Sequence, residues 1–269
     1  MDQYAVVGNP ISHSKSPLIH AEFAKEMHQE LTYSKIEAPL NGFTSRVREF
    51  FEQGGKGLNV TVPFKEEAWS LCQSLSDRGQ LAGAVNTLYL NSDGQICGDN
   101  TDGVGLVNDL KQTGFSFAGK KILIIGAGGA VRGVIQPILN EMPTSLTITN
   151  RTKAKADSLA EVFSEHGLVV SEEMGCVNGP FDLVINGTSA SLAGALPAIS
   201  SDVFTPSTVV YDMMYAKEGT VFNRWAAQQG AAEIYDGLGM LVEQAAEAFY
   251  IWRRCRPNTQ RVVKLLRDA

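Results

Sequence analysis

Short runs of β-prone residues alternate with longer runs of helical periodicity along nearly the whole chain. The strand-like runs cover residues 4–7, 31–37, 57–62, 121–125, 145–149, 182–186, 209–213 and 232–235. Between them, apolar residues at spacings of three and four predict amphipathic helices, among them one that begins at Ser16-Pro17 and one over residues 42–53. This alternation is typical of α/β architecture with parallel sheets, so the predicted fold class is α/β.

A change in this pattern near residue 100 predicts two domains. Residues 85–90 and 95–98 are strand-like on either side of Asp93-Gly94, a pair that favours the reversal of a hairpin. After the hairpin, Thr101 or Asp102 can cap a helix, which we interpret as the connector to a second domain. A further long amphipathic helix is predicted over residues 238–252, near the C-terminus.

Composition and charge exclude several classes of protein. The chain has 269 residues, of which 44% are hydrophobic and 19% charged, as in globular proteins with a sizeable core. The net charge of −6 argues against a nucleic-acid-binding surface. No apolar run approaches the ~18 residues of a membrane span, and the N-terminal residues do not resemble an export signal. We therefore expect a cytoplasmic protein with no membrane or nucleic-acid partner.

The cysteines and histidines do not indicate a metal site. The four cysteines lie far apart without a C-x-x-C pair, which fits free thiols in a reducing compartment. The histidines lack metal-ligand spacing, and each is interpreted as an exposed or half-buried side chain: His13, His20, His28 and His166. We therefore expect no bound metal.

A glycine cluster follows the apolar run of residues 121–125 and precedes a predicted helix; it consists of Gly126, Ala127, Gly128, Gly129 and Ala130. Glycines at such a turn let backbone N–H groups at a helix N-terminus approach a pyrophosphate. Val131 stands where the third glycine of the dinucleotide fingerprint would be. A flexible turn can carry the same glycines, so the strand, turn and helix together are what indicate a dinucleotide site.

The residues after the next predicted strand favour NADP(H) over NAD(H). NAD-binding domains usually place an acidic residue there, whereas this chain has Thr149, Asn150, Arg151 and Thr152. The Arg151 guanidinium can pair with a 2′-phosphate, and Thr152 and Lys155 add to the same polar, positive patch. The alternative is that Arg151 is a solvated side chain beyond the end of a strand.

Polar residues of the first domain predict a site for a small anion. The hydroxyls of Ser12, Ser14 and Ser16 lie between a predicted strand and a helix, so they meet at a helix N-terminus. The alternative is that Ser16 is an ordinary N-cap. Asn59 and Thr61 are two apart on a predicted strand, so their side chains project from one face near its carboxyl end.

Lys65 is the candidate acid–base group of this domain. It falls in the first turn of the helix predicted after Pro63, where the helix dipole disfavours a cation. Taken alone, it can also be a solvated surface lysine. Asn86 and Asp102 complete the polar set, although Asp102 can equally be the cap of its helix.

These motifs, taken in chain order, resemble those of the shikimate dehydrogenase family. They span nearly the whole chain: Ser12-His13-Ser14-Lys15-Ser16-Pro17, Asn59-Val60-Thr61-Val62-Pro63-Phe64-Lys65, Gly83-Ala84-Val85-Asn86-Thr87, Gly98-Asp99-Asn100-Thr101-Asp102-Gly103, Gly126-Ala127-Gly128-Gly129-Ala130, Asn150-Arg151-Thr152 and Asp236-Gly237-Leu238-Gly239-Met240-Leu241-Val242-Glu243-Gln244-Ala245. The resemblance implies an oxidoreductase that uses NADP(H) to reduce 3-dehydroshikimate reversibly to shikimate, a step in aromatic amino acid biosynthesis.

The resemblance also implies a role for each matching residue. Lys65 would be the acid–base residue, with Asp102 beside it. The substrate carboxylate would be held by Ser14, Ser16 and Tyr215, and its hydroxyls by Asn59, Thr61, Asn86, Asp102 and Gln244. The cofactor would be contacted by Asp77, Gly126, Ala127, Gly128, Gly129, Ala130, Asn150, Arg151, Thr152, Lys155, Met213 and Gly237.

Three segments follow from the same resemblance. Residues 1–101 would form an open α/β substrate-binding domain, and residues 102–237 a Rossmann-type doubly wound NADP domain. Residues 238–269 would be helices that return to the substrate domain. We expect substrate and cofactor to face each other across a cleft that opens and closes, in a monomer or a homodimer.

Two alternatives remain open from the sequence. One is an enzyme of broader scope that also oxidises quinate, with NAD as its cofactor; the absence of an acid near Arg151 speaks against NAD but not against quinate. The other is a non-catalytic module that only senses NADPH, because a fold does not by itself imply an activity. The presence of both Lys65 and Asp102 speaks against that second alternative.

Overall fold

The structure is a computed structural model that describes residues 1–268, the side chains of residues 192 and 193 excepted. The chain divides into two compact units. The first unit consists of Met1–Gly105 and the described residues from Leu241 onwards, and the second of Leu106–Met240. Each unit is built around its own sheet.

The N-terminal part of the first unit alternates strands and helices. Its strands are β1 (Asp2–Gly8), β2 (Leu31–Glu37), β3 (Gly57–Val60), β4 (Ser74–Leu75), β5 (Thr87–Leu90) and β6 (Ile96–Asp99). Its helices are α1 (Ser16–Glu26), α2 (Phe43–Glu52), α3 (Lys65–Leu71) and α4 (Asp77–Ala82), and α5 (Asp102–Gln112) leads into the second unit.

The sheet of the first unit has the order β2-β1-β3-β5-β6-β4. Strands β1, β2 and β3 are parallel, whereas β5 is antiparallel to both β3 and β6. The antiparallel pair is the hairpin predicted around Asp93-Gly94, and Gly94 adopts a φ of +76° in its turn. The sheet is therefore mixed rather than purely parallel, because a hairpin reverses the chain direction.

One predicted strand is shorter than the sequence pattern suggested. We expected it to cover residues 57–62, but β3 ends at Val60. Thr61 still donates its backbone N–H to the Val7 carbonyl at 3.0 Å, after which Pro63, which has no N–H, cannot continue a ladder. Thr61 therefore lies just beyond the strand rather than on it.

The core of the first unit lies between the sheet and α2 and α3. Its buried side chains include Val7, Val47 and Leu58, and the rings of Phe43 and Phe64 stack with their centroids 4.8 Å apart. The apolar residues of α2 recur at spacings of three and four, so they form one face that packs on the sheet. This packing places the carboxyl ends of β1 and β3 beside the start of α3.

The second unit is a doubly wound α/β sheet. Its elements are β7 (Lys121–Ile125), α6 (Gly129–Leu139), β8 (Ser145–Asn150), α7 (Lys153–Phe163), β9 (Val169–Glu173), β10 (Leu183–Asn186), β11 (Val209–Asp212), α8 (Val221–Gln228) and β12 (Glu233–Asp236). Two short 3₁₀ turns at Ala190–Ala193 and Ser201–Val203 lie between β10 and β11. The sheet is parallel throughout in the order β12-β11-β10-β7-β8-β9.

The strand order of the second unit is that of dinucleotide-binding domains. If the strands of this unit are numbered 1 to 6 from β7 to β12, their order across the sheet is 3-2-1-4-5-6. The direction in which successive strands are added reverses between β7 and β10. Strand β7 is buried from Ile122 to Ile125, as its continuous apolar run predicted for a strand covered on both faces. The predicted Rossmann-type sheet is confirmed, and its ligand-binding crevice is expected where β7 and β10 diverge.

Two helices complete the chain, α9 (Leu238–Arg253) and α10 (Thr259–Asp268). The long amphipathic helix predicted over residues 238–252 is α9. Helix α6 contains Pro137, which has no backbone N–H to donate, and it ends two residues later at Leu139. None of the described helices combines the length and apolar character that crossing a membrane requires.

Candidate active site

An ion pair between Lys65 and Asp102 lies at the centre of the polar residues of the first unit. The Lys65 Nζ donates to Asp102 Oδ2 at 2.6 Å, and the two side chains are 23% and 10% exposed. Lys65 is the first residue of α3, and its carbonyl accepts a hydrogen bond from the Val85 N–H at 2.8 Å. Lys65 is thus held at its backbone and its ammonium group, and it is not a freely solvated lysine.

Asp102 is more than a helix cap. It is the first helical residue of α5 rather than the residue before it, and both carboxylate oxygens bind side chains. Oδ2 accepts from Lys65, and Oδ1 accepts from Asn86 Nδ2 at 2.7 Å. The carboxylate is therefore used to orient a cation and an amide.

The Asn86 side chain connects several parts of the cluster. Its Nδ2 lies within hydrogen-bond distance of Asp102, of Thr101 Oγ1 at 2.9 Å and of Gln244 Oε1 at 3.3 Å. Its Oδ1 accepts from the Thr101 N–H at 2.9 Å and from the Thr87 hydroxyl at 2.9 Å. Because Asn86 is 2% exposed, these bonds fix its amide in one orientation.

Asn59 continues the cluster from the neighbouring strand. It lies on β3 opposite Thr87 on β5. Its Nδ2 donates to the Asn86 carbonyl and to Thr87 Oγ1, both at 3.2 Å, and its Oδ1 accepts from the Tyr33 hydroxyl at 2.7 Å. Thr61 is half-buried just beyond the end of β3, on the loop that leads to α3.

Ser14 and Ser16 form a pair at the beginning of α1. The Ser14 hydroxyl lies 3.2 Å from that of Ser16, and it accepts a hydrogen bond from the Ser16 N–H at 3.3 Å. The interpretation of Ser16 as an N-cap is wrong, because α1 begins at Ser16 and its cap position is Lys15, which makes no side-chain cap bond. The Ser16 hydroxyl is therefore not used to cap the helix.

Gln244, Tyr215 and Asp77 occupy different settings. Gln244 is half-buried on α9, within the first unit, where it meets Asn86 and donates its Nε2 to the Leu241 carbonyl at 2.8 Å. Tyr215 belongs to the second unit, in the segment after β11, and burial raises the pKa of its phenol. Asp77 is exposed at the start of α4, in the first unit. The roles predicted for Tyr215 and Asp77 stay predictions.

Sequence reasoning assigned no binding or catalytic role to several residues that the structure brings into this cluster. They are His20, Tyr33, Thr87, Asn100 and Thr101. Thr87, Asn100 and Thr101 lie within motifs that carried the family resemblance, so adjacency to Asn86 and Asp102 was the available signal. Tyr33 lies on a strand with no distinctive motif, and only the fold brings it to Asn59. His20 was interpreted as exposed or half-buried, but it is 1% exposed.

The first-unit cluster combines one cation with many neutral donors and acceptors. Amides and hydroxyls of Asn59, Asn86, Thr101 and Gln244 surround the Lys65–Asp102 pair. Such a set suits a small molecule with several hydroxyl groups, because each group finds a partner of its own. The Lys65 side chain can donate a proton to one substrate oxygen as an ammonium group, or accept a proton from it as a neutral amine.

The glycine turn of the second unit fits a dinucleotide phosphate. Gly126 has a φ of +117°, which a residue with a side chain rarely adopts, so glycine is required for the turn itself. A Cβ atom placed on Gly128 or Gly129 meets no atom within 4 Å. The exposed backbone at the start of α6 therefore has open space in front of it, as an approaching pyrophosphate needs.

A positive, exposed surface lies at the carboxyl end of β8. Arg151, Thr152 and Lys155 are exposed there, and Asn150 donates its Nδ2 to the Thr152 carbonyl at 2.9 Å. Helix α7 begins after Thr152 without a side-chain cap, so the cap side chain does not compete with an anion at this helix N-terminus. No acidic residue stands at residues 149–152, where a ribose 2′-hydroxyl would require one.

Met213 and Gly237 complete this region of the second unit. A Cβ on Gly187, directly after β10, would lie 3.1 Å from the Met213 sulfur, and a Cβ on Gly237 would overlap the Met213 backbone. A Cβ on Gly126 would lie 3.3 Å from the Gly187 backbone. These four residues are therefore close-packed where the strand order reverses, as expected of a cofactor-binding crevice.

Comparison with known proteins supports one family for the whole chain. Residues 6–88 match the family model "Shikimate dehydrogenase substrate binding domain". Residues 109–195 match "Shikimate / quinate 5-dehydrogenase", and residues 237–267 match "Shikimate 5'-dehydrogenase C-terminal domain". The three matches follow one another in chain order.

Individual relatives agree with these matches. Shikimate dehydrogenase (NADP(+)) of Marinobacter nauticus is 56% identical, covering 99% of this chain and 98% of its own. The crystal structure of an Ael1 enzyme from Pseudomonas putida superposes with a TM-score of 0.95 at 44% identity, covering 99% of this chain and 98% of its own.

A more distant structure carries ligands. The crystal structure of shikimate 5-dehydrogenase from Thermus thermophilus in complex with NADP(H) and shikimate has a TM-score of 0.87 at 30% identity, covering 100% of this chain and 99% of its own. The sheet order, the glycine turn and the polar cluster are thus found in a chain similar to these relatives along its whole length. This protein belongs to the shikimate dehydrogenase family.

Proposed function

We propose that this protein catalyses the reversible, NADPH-dependent reduction of 3-dehydroshikimate to shikimate in aromatic amino acid biosynthesis, with Lys65 as the acid–base residue. The observation that carries the proposal is the Lys65 ammonium group, held 2.6 Å from Asp102 within a cluster of neutral amides and hydroxyls. Relatives at 54–56% identity over nearly the full chain are NADP-dependent shikimate dehydrogenases.

Lys65 moves the proton in this scheme. Its ammonium group donates a proton to the carbonyl oxygen of the substrate as the carbonyl carbon is reduced, and that oxygen becomes the product hydroxyl. In the reverse direction, neutral Lys65 removes the hydroxyl proton. Asp102 holds Nζ in place through Oδ2, and Asn86 holds Asp102 through Oδ1, so the proton donor is oriented before the substrate arrives.

The other polar residues bind the substrate. Ser14 and Ser16 at the start of α1 supply hydroxyl donors for the carboxylate, together with Tyr215. Asn59, Thr61, Asn86, Asp102 and Gln244 bind the hydroxyls. Because each buried amide or hydroxyl would lose a partner if a ligand lacked the matching group, this set discriminates between polyhydroxylated acids.

The second unit supplies the cofactor site. The open turn at Gly126, Ala127, Gly128, Gly129 and Ala130 would hold the pyrophosphate, and Asn150, Arg151, Thr152 and Lys155 would hold the 2′-phosphate. Met213 and Gly237 would line the site at the crevice, and Asp77 would contact the cofactor from the first unit. Reduced nicotinamide, when bound, supplies the hydride.

We keep the functional segments predicted from the sequence as part of this proposal. Residues 1–101 with 238–269 would bind the substrate, and residues 102–237 would bind NADP(H). The protein would work in the cytoplasm as a monomer or homodimer, without a nucleic-acid partner, which the net charge of −6 supports. Light scattering during gel filtration measures the oligomeric state.

The direct test is a matrix of substrates and cofactors. Purified protein is mixed with shikimate or quinate and with NADP or NAD, and absorbance of the reduced nicotinamide is followed in all four combinations. We expect the highest kcat/KM with shikimate and NADP. Quinate is included because one matching family model covers both substrates. Absence of turnover in every combination would contradict the proposal.

A further inference from the structure

Tyr33 lies on the edge strand β2 of the first unit, two strands away from Asn59. In the register of the sheet, Tyr33 is paired with Tyr4, and Tyr4 is paired with Gly57. Residues paired in this way project from the same face, and Asn59, two residues beyond Gly57, shares that face. Glycine at position 57 adds no side chain to this face, and the Tyr33 hydroxyl reaches Asn59.

The Tyr33 hydroxyl lies between the two ends of the proposed substrate site. It donates to Asn59 Oδ1 at 2.7 Å, and it also interacts with the side chain of Ser16. Ser16 belongs to the pair proposed to hold the carboxylate, and Asn59 to the set proposed to bind hydroxyls. Burial raises the pKa of the Tyr33 phenol well above its usual value, so Tyr33 remains an O–H donor.

His20 holds the Tyr33 ring in place. The two rings are stacked with their centroids 4.2 Å apart and their planes 7° from parallel. The rings of Phe23, Phe249 and Trp252 surround His20 on its other sides. A phenol packed in this way has little freedom to swing its hydroxyl away from Asn59.

The hydroxyl also determines how the Asn59 amide is oriented. With Oδ1 accepting from Tyr33, Nδ2 must point to the Asn86 carbonyl and Thr87 Oγ1, as observed. Thr87 in turn donates to Asn86 Oδ1, and Asn86 Nδ2 donates to Asp102. One chain of hydrogen bonds therefore runs from Tyr33 to the carboxylate that binds Lys65.

We propose that Tyr33 is a substrate-positioning residue, whose hydroxyl fixes Ser16 and Asn59 relative to each other so that both ends of the substrate are bound in one orientation. The proposal rests on the proposed function, because it takes the substrate to be a hydroxylated carboxylic acid. Tyr33 does not move a proton in the reaction, so its loss is expressed mainly in substrate binding.

The test compares Tyr33→Phe with Tyr4→Phe. Tyr4 is a matched control because it lies on the same sheet face, where its ring stacks on that of Trp252 with the centroids 4.8 Å apart. Its hydroxyl accepts a hydrogen bond from Arg253, which lies outside the proposed site. We expect Tyr33→Phe to raise the KM for shikimate about tenfold, because a buried acceptor loses its donor, while kcat and the KM for NADP change less than about twofold. Tyr4→Phe should leave all three constants within about twofold of the wild type, because its hydroxyl touches none of the proposed substrate ligands.

A double-mutant cycle tests the link to Ser16. If Tyr33 acts through Ser16, the KM of the Ser16→Ala/Tyr33→Phe variant rises less than the product of the two single effects. Thermal unfolding of each variant without ligand reports changes in fold stability separately. A Tyr33→Phe protein that is destabilised but keeps the wild-type KM would have lost only a structural contact, which would overturn the proposal. So would purely multiplicative effects in the cycle.

Different results would reject the proposed function and the proposed role of Tyr33. If the wild-type protein shows no shikimate oxidation, the proposed function fails. If the wild type is active and Tyr33→Phe behaves like Tyr4→Phe, the proposed function stands and only the role of Tyr33 is rejected.

Discussion

Lys65 is set apart from the exposed lysines of this chain by what surrounds it. Its side chain is only 23% exposed, and its ammonium group is paired with a carboxylate that is 10% exposed. Asn86 binds the same carboxylate from the other side, so the position of Nζ depends on residues from α3, α5 and the segment before β5. This preorganisation is what a proton donor needs.

Replacing Lys65 tests its proposed role as the proton donor. Lys65→Met should lower kcat for shikimate oxidation by about 10²–10⁴-fold with little change in KM, because a proton-transfer group is lost while substrate contacts remain. Lys56→Met, at an exposed position before β3, is the control and should stay within about twofold of the wild type. Near-normal kcat in Lys65→Met would reject the acid–base role.

His20 is a second residue whose surroundings change its chemistry. Burial lowers the pKa of its imidazole from 6.5 to about 3. The folded protein therefore keeps His20 neutral at a pH where the unfolded chain would protonate it. Between pH 6.5 and 3 the unfolded state binds more protons, so stability falls as the pH is lowered through this range.

The lowered pKa of His20 predicts how the stability of the protein changes in acid. From pH 7 to pH 4.5, the wild type should lose about 2–3 kcal/mol more of its unfolding free energy than His20→Phe, which keeps an aromatic ring against Tyr33. Urea unfolding at both pH values measures the difference. His166→Gln, at an exposed position, should show the wild-type pH dependence. Equal acid sensitivity in wild type and His20→Phe would contradict the buried, neutral state of His20.

At the scale of elements, the turn between β7 and α6 contains one glycine that the backbone conformation requires and another that it does not require. Gly126 is needed by the backbone, with its φ of +117° and the Gly187 backbone 3.3 Å from any Cβ. Gly128 has an ordinary φ of −86° and open space around it. We therefore propose that the two glycines of one motif serve different purposes, one conformational and one steric toward a ligand.

Alanine substitutions should distinguish these purposes. Gly126→Ala should lower the thermal stability of the ligand-free protein by about 1–3 kcal/mol, because alanine is strained at positive φ. Gly128→Ala should leave that stability within about 0.5 kcal/mol of the wild type, since an exposed substitution that strains nothing has little effect, yet raise the KM for NADP about tenfold. Differential scanning fluorimetry and steady-state kinetics measure the two effects. A Gly128→Ala enzyme with normal KM for NADP would show that the cofactor does not approach this turn.

At the scale of the whole molecule, both divisions between the compact units fall inside helices, within α5 and α9. The first unit is discontinuous in sequence, so its C-terminal part must be joined to its N-terminal part by tertiary contacts. Arg78 makes one such contact: it binds Asp99 at 2.7 and 2.8 Å and reaches Glu247 on α9 at 3.0 Å. Arg256 binds the other oxygen of Glu247.

Breaking this contact should destabilise the first unit. Arg78→Met leaves the buried carboxylates of Asp99 and Glu247 with fewer cations, which we expect to cost about 3–5 kcal/mol of unfolding free energy in urea. Arg46→Ala removes an exposed pair with Glu49 and should cost less than about 1 kcal/mol. A loss in Arg78→Met as small as that in Arg46→Ala would show that Arg78 does not join the two parts.

The sequence was most informative where a local pattern of residues specifies a single element of secondary structure. The continuous apolar run predicted β7, Asp93-Gly94 predicted the hairpin, and the periodicity of residues 238–252 predicted α9. The sequence pattern was less informative for strand ends, because β3 ends at Val60 although the sequence remains β-prone through Val62. The strand β9 was not predicted, since its half-exposed edge position leaves no continuous apolar run.

The sequence by itself determined the α/β class, the glycine turn, the absence of an acid near Arg151 and the motifs that carry the family, because these depend on local geometry or residue chemistry. Only the tertiary structure decided that Tyr33 meets Asn59 and that His20 is buried against them. It also decided that Asn86 joins Asp102 to Gln244, a residue 158 positions away. Contacts between distant segments follow from strand order and register, which a local sequence pattern does not contain.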